Sequence, residues 1–204
     1  MTNLSQIGNA LHLYLADNDG AFPPTPGLAR TGGYHPFTLL GKYLSGSFAG
    51  STSWNPACDP SLHGNNAGVF WCPSDRFRQI GYQDSGSTLY FGAMSYNVNV
   101  YVGADELNPP SNGAFPPRLQ GIGQPASRII YAVDGMNGLG PQSKGWPWEI
   151  GVNTYPFNAS YSKEKGGLDF KHGGFANAVF LDGHCESLSL KQTSGSYGFY
   201  VDFR

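Results

Sequence analysis

The chain has 204 residues, enough for one domain with a sizeable core, and a formal net charge of −2. Only 13% of its residues are charged and no Lys/Arg stripe is present, so nothing in the sequence suggests a nucleic-acid or anionic-membrane surface. Gly (29) and Pro (15) exceed a fifth of the chain and mark it as loop-rich, while 14% aromatics exclude a disordered polymer.

Leu4, Ile7, Leu11 and Leu15 recur at helical spacing, with Ala10 and Tyr14 beside them. They predict an amphipathic helix over roughly residues 2–16 whose apolar stripe packs on a sheet. No capping residue with an apolar staple precedes it, so the helix is expected to continue upstream of Met1. Asp17-Asn18-Asp19-Gly20 ends it through a left-handed cap, and Phe22-Pro23-Pro24 prevents its resumption. Asp17, Asp19 and Gly20 share the start of a calcium-loop pattern, but the full ligand set is absent. Helix termination is the preferred role, with calcium the lesser alternative and no cofactor expected.

Residues 20–68 form a helix-and-loop region, with a short helix over Pro36 to Leu44 showing Phe37, Leu40 and Leu44 on one face. Cys58 and Cys72 bracket a Gly/Asn loop. Paired in an oxidising compartment they would contribute roughly 3 kcal/mol in the chain-entropy model; the alternative is two free thiols. Cys185 reads as a buried free thiol.

Residues 69–135 hold the first sheet strands. Val69 to Asp75 predicts a short strand stopped by Pro73. Ser95 to Val102 alternates apolar and polar residues as a half-buried strand does, and Arg128 to Gly135 is a buried-strand run ending in a turn signal. Residues 136–168 are an irregular insertion carrying Trp146 and Trp148. With Trp54 and Trp71, these aromatics could form a ligand surface, although loop aromatics more often build satellite cores.

Residues 169–204 close the domain. Ala176 to Leu181, Asp182-Gly183 and His184 to Leu190 predict a hairpin on a two-residue type I′ turn, pairing Leu181 with His184. In that register Phe180, Ala178 and Cys185 share the face that receives the helix. Tyr197 to Phe203 could add an edge strand. The fold class is therefore α+β: one N-terminal helix on an antiparallel sheet with long irregular loops, in a single domain over 1–204.

Nine residues separate His172 from Asp182-Gly183. This spacing, with Ala176 to His184 between and after it, resembles the prepilin-like, type II secretion pseudopilin-like group with the C-terminal H-X9-DG motif. Asn3-Leu4, Gln6-Ile7-Gly8, Ala10-Leu11, Tyr14, Asp17, Asp19-Gly20 and Phe22-Pro23 are similar to the family's helix and the loop after it. Trp71-Cys72-Pro73-Ser74-Asp75, Ser95 to Asn99 and Ser127 to Ile130 resemble further blocks in the family's order. Together these motifs cover about a third of the chain and span both ends. The resemblance implies a type IV pilin-like fold. It also implies an apolar upstream half-helix in the inner membrane, with a processed, N-methylated start, and a periplasmic or exterior domain. The implied partners are other pseudopilin subunits and secretion-system components. His172, Asp182 and Gly183 would then be structural motif residues, and Leu4, Ile7, Leu11 and Leu15 the packing and assembly stripe.

Chemistry is the alternative. His172, Asp182 and His184 are residue types that ligate zinc, which would make a metal-dependent hydrolase. Against this, Asp in a tight turn bonds its own backbone. His172 instead suits a structural hydrogen bond to loop backbone or to a carboxylate near the turn, with Gly173-Gly174 permitting the bend. No Gly-x-Ser-x-Gly elbow is present, and His184 and Cys185 point to opposite faces of a strand, so no enzyme is expected. A third reading is an extracytoplasmic glycan- or substrate-binding module using Trp146 and Trp148.

Overall fold

The computed structural model describes residues 1–23, 36–44, 68–74, 82–84, 87–89, 95–99, 102, 119–136, 149–150 and 167–194. Helix α1 spans Thr2–Asp17 and buries Leu4, Ile7, Gly8, Ala10, Leu11 and Leu15, the expected stripe. It ends as Asp19 and Gly20 turn to positive φ (52° and 74°) and the Gly20 N–H donates to Leu15 O at 2.7 Å. Short helix α2 (Pro36–Leu40) runs into a 3₁₀ turn, Gly41–Tyr43. Phe37, Leu40 and Leu44 are buried as the spacing requires, and Phe37 stacks on Phe70 at 4.5 Å.

The strands are β1 (Tyr82–Asp84), β2 (Ser87–Leu89), β3 (Tyr96–Asn99), β4 (Ile130–Met136), β5 (Glu149–Ile150), β6 (Gly167–Leu168), β7 (Phe175–Phe180) and β8 (Cys185–Ser189). Strands β3, β4, β7 and β8 lie side by side in that order, all antiparallel. Strand β5 adds parallel to β3, β6 pairs with the far end of β4, and β1–β2 form a separate hairpin. With α1 on one face, the architecture is the expected α+β arrangement.

The register shows which face receives the helix. Tyr96 opposes Asp134, Val98 opposes Ala132, Ala132 opposes Val179, and Val179 opposes Cys185. Tyr96, Val98, Ala132, Val179 and Leu181 share a core with the α1 stripe, and Cys185 packs against it. Gly8 permits this contact, because a Cβ there would lie 2.8 Å from Val179 Cγ2. The helix-facing set expected from a two-residue turn, Phe180 with Ala178 and Cys185, is corrected. Gly183 has positive φ (86°) and Asp182 does not, so a type I′ turn cannot form. The loop instead takes three residues, Leu181 to Gly183. The Gly183 N–H donates to Phe180 O, the Phe180 N–H donates to His184 O, and the pairing slips by one. Phe180 therefore lies on the other face, where it stacks on His184 at 4.3 Å.

Two other expectations change. Residues 68–70 form a 3₁₀ turn rather than the start of a strand. Gly68 is left-handed, the Trp71 N–H returns to Gly68 O, and Pro73 has no donor for a ladder. Strand β3 is buried at all four positions, not half-exposed; Asn99 Nδ2 satisfies itself on Ile130 O at 2.9 Å. Elements not anticipated include the β1–β2 hairpin, strands β5 and β6 within the stretch 136–168 expected to be irregular, and helix α3 (Leu190–Thr193), opened by a capping box between Ser189 and Gln192. Cys58, Trp54, Trp146, Trp148, residues 197–203 and most of 136–168 lie outside the described residues.

Strand β4 carries a bulge between Ile130 and Ala132, which turns Tyr131 to the same core as Ala132. Tyr131 is fully buried, and its hydroxyl has no hydrogen-bond partner among the described residues. Burial pushes its phenol well above the ordinary range. Tyr131→Phe is therefore expected to stabilise the protein by about 1 kcal/mol, because it removes a desolvated group that has no partner among the described residues. A urea midpoint that falls in the variant would refute this.

Candidate functional site

Strand β4 changes partner at Asp134. Up to Val133 it pairs with β7, and from Gly135 it pairs with β6. Between β6 and β7 the chain leaves the sheet and returns through His172-Gly173-Gly174-Phe175. Gly173 and Gly174 both have positive φ (66° and 92°), and His172 and Phe175 exchange backbone hydrogen bonds at 3.1 and 3.3 Å. The type I′-like turn expected at Asp182-Gly183 thus occurs here, and it presents His172 back to the sheet.

The detour leaves the Asn177 N–H without a ladder acceptor, and the Asp134 carboxylate takes it: Asn177 N donates to Asp134 Oδ2 at 2.7 Å. The same oxygen lies 3.2 Å from His172 Nε2. That nitrogen also lies 3.4 Å from Cys72 Sγ. Cys72 is buried and forms no disulfide among the described residues. It is held by its own N–H, which donates to Ser95 Oγ at 2.9 Å. Asn3, in the first turn of α1, donates to Trp71 O at 2.7 Å and fixes the neighbouring backbone.

Asp134 is 0% exposed and its second oxygen, Oδ1, has no hydrogen-bond partner among the described residues. Burial raises its carboxyl above the usual carboxylate range, opposed by the Asn177 N–H and by the neighbouring Lys171 and His172. Burial likewise raises the Tyr96 phenol, reinforced by Cys72 and Asp134. Lys171 is engaged by Asp169, 3.3 Å away.

Cysteine, histidine and aspartate together suggest a nucleophile triad, but the geometry argues otherwise. A triad uses the two nitrogens of the imidazole separately, one for the nucleophile and one for the orienting carboxylate. Here thiol and carboxylate both address Nε2. The three donor atoms instead converge, all within 4.8 Å of one another, as the ligands of a single cation do.

His172, Asp182 and His184 do not come together. His184 Nδ1 contacts Asp182 Oδ1 at the β7–β8 loop, and its backbone N–H donates to the same oxygen at 3.2 Å. His172 does meet a carboxylate, but that of Asp134 in β4. The sequence held a signal for Asp134, an acid closing the otherwise apolar run Ile129 to Val133, which reads equally as the first half of an Asp-Gly turn. For Cys72 there was none, since its approach to His172 spans a hundred residues of chain. On the helix side, Tyr43 Oη donates to Asp17 Oδ2 at 2.7 Å.

No protein-family model, curated protein or solved structure shows significant similarity to the chain.

Proposed function

We propose that the chain is the extracytoplasmic domain of a pilin- or pseudopilin-like subunit, with a structural role in assembly rather than a catalytic one. The observation that carries the reading is the sixteen-residue helix α1 laid by a single apolar stripe across the four-stranded antiparallel sheet. In a pilin-like subunit such a helix carries an apolar upstream segment, held in the inner membrane and packed against other subunits. The H-X9-DG residues support it: His172 fastens the turn ahead of β7, and Asp182-Gly183 closes the hairpin beneath α1. The converging geometry at His172 Nε2 also speaks against thiol catalysis.

The exposed side of α1 supplies the test. Leu13 is 52% exposed on the face away from the core. Leu13→Cys in the full-length gene, oxidised in its own cells, is expected to give a disulfide-linked dimer, because each subunit gains one thiol. Lys191→Cys, in the exposed helix α3, is expected to give none. Monomer alone from Leu13→Cys, or equal amounts of dimer from both, would count against assembly through α1.

A further inference from the structure

We propose that Cys72, Asp134 and His172 form a binding site for a thiophilic divalent cation of the zinc type, tying residues 68–74 and the His172 turn to strand β4. Three independent features carry this.

The first is donor chemistry. A thiol, an imidazole and a carboxylate form a mixed set suited to zinc, whereas calcium and magnesium take oxygen ligands. The second is spacing. Tetrahedral zinc with ordinary bond lengths sets neighbouring donor atoms about 3.4–3.6 Å apart. Sγ–Nε2 is 3.4 Å and Nε2–Oδ2 is 3.2 Å, so a small outward shift admits the ion. The third is the state of Asp134. A wholly buried carboxylate whose Oδ1 has no hydrogen-bond partner among the described residues keeps part of its desolvation cost, although the Asn177 N–H and His172 reach Oδ2. A cation beside it offsets that remainder.

The surroundings fit. The Asn177 N–H orients the carboxylate, and the Ser95 hydroxyl positions the Cys72 backbone. The His172 side chain is 26% exposed and provides a route from solvent. Three protein donors leave the fourth position to water. Binding converts the thiol to thiolate, and the displaced proton passes to solvent. The site joins segments far apart in the chain, so its effect is a cross-link on the sheet and not a reaction.

The test uses the whole 204-residue chain and metal alone. Stripped protein titrated with Co²⁺ is expected to show a thiolate-to-metal charge-transfer band saturating at one ion per chain, and Zn²⁺ should displace it. Zinc at a hundredfold excess over Kd should raise Tm by about 5–10 °C. Cys185→Ser should keep the band and Cys72→Ser should lose it. Asp134→Asn, which preserves the acceptor for Asn177, should weaken binding by at least the roughly 10–100-fold that outer-shell changes cost. If Cys72→Ser does not fold, the wild-type band and the Asp134→Asn titration decide. No charge-transfer band in folded wild type, a band that survives Cys72→Ser, or unchanged affinity in Asp134→Asn overturns the proposal and leaves a hydrogen-bonded cluster only.

Discussion

Leu11→Ala is expected to lower the stability of the protein by about 2–5 kcal/mol, against a total of roughly 5–15 kcal/mol for a domain of ordinary stability. Leu11 is fully buried in the centre of the α1 stripe, in the core shared with Val98, Ala132, Val179 and Leu181. Truncation loses the transfer free energy of the removed carbons, and close packing on both sides prevents the site from collapsing. Gly8 shows how tight that packing is, since even one added carbon there would press on Val179. Leu13→Ala is the control. Exposed and only two residues away, it should change stability by less than about 0.5 kcal/mol. Urea unfolding with an unchanged m-value separates the two. Equal midpoints for both variants would mean that α1 is not fastened to the sheet by this stripe.

The contrast between those two leucines was legible in the sequence, because helical periodicity is local and burial follows from it. So was the existence of strands β3, β4, β7 and β8, each an apolar or alternating run bounded by turn signals. Register was not. Asp182-Gly183 suits both a two-residue and a three-residue hairpin, and the difference exchanges Phe180 for Val179 on the helix face. What decides is which residues take positive φ, and composition alone leaves that open at Asp182. Gly173-Gly174 had the same ambiguity in reverse: the pair reads as a flexible approach, yet it makes the tight turn. The cluster around His172 was hidden for a different reason. It depends on β4 exchanging one neighbour for another at Asp134, a property of the whole sheet. No periodicity within a single strand records such a switch.

Gly135, one residue beyond that switch, should be the least replaceable glycine among the described residues. A Cβ built on it would fall inside the van der Waals envelope of Asn97 Cγ and Oδ1, and 2.6 Å from Nδ2. Asn97 opposes Val133, so its side chain crosses diagonally over Gly135 on the face away from α1. It is buried and has no open space in which to turn. Gly135→Ala recovers about 0.4–1 kcal/mol from the unfolded chain. It loses about 1–3 kcal/mol to overpacking, and a similar amount if the Asn97 amide is driven from its place. The net expectation is a loss of about 2–4 kcal/mol. The cause can be isolated with a double-mutant cycle. In an Asn97→Ala background the same substitution should cost less than about 1 kcal/mol, because the carbon it meets is gone. A full cost persisting there would place the strain in the backbone instead. The Gly135 N–H donates to Ser95 O, and Ser95 Oγ accepts from the Cys72 N–H. A β4 pushed away from β3 would therefore also move the thiol from His172. Gly135→Ala should accordingly weaken Co²⁺ binding along with the fold, and Asn97→Ala should restore both together.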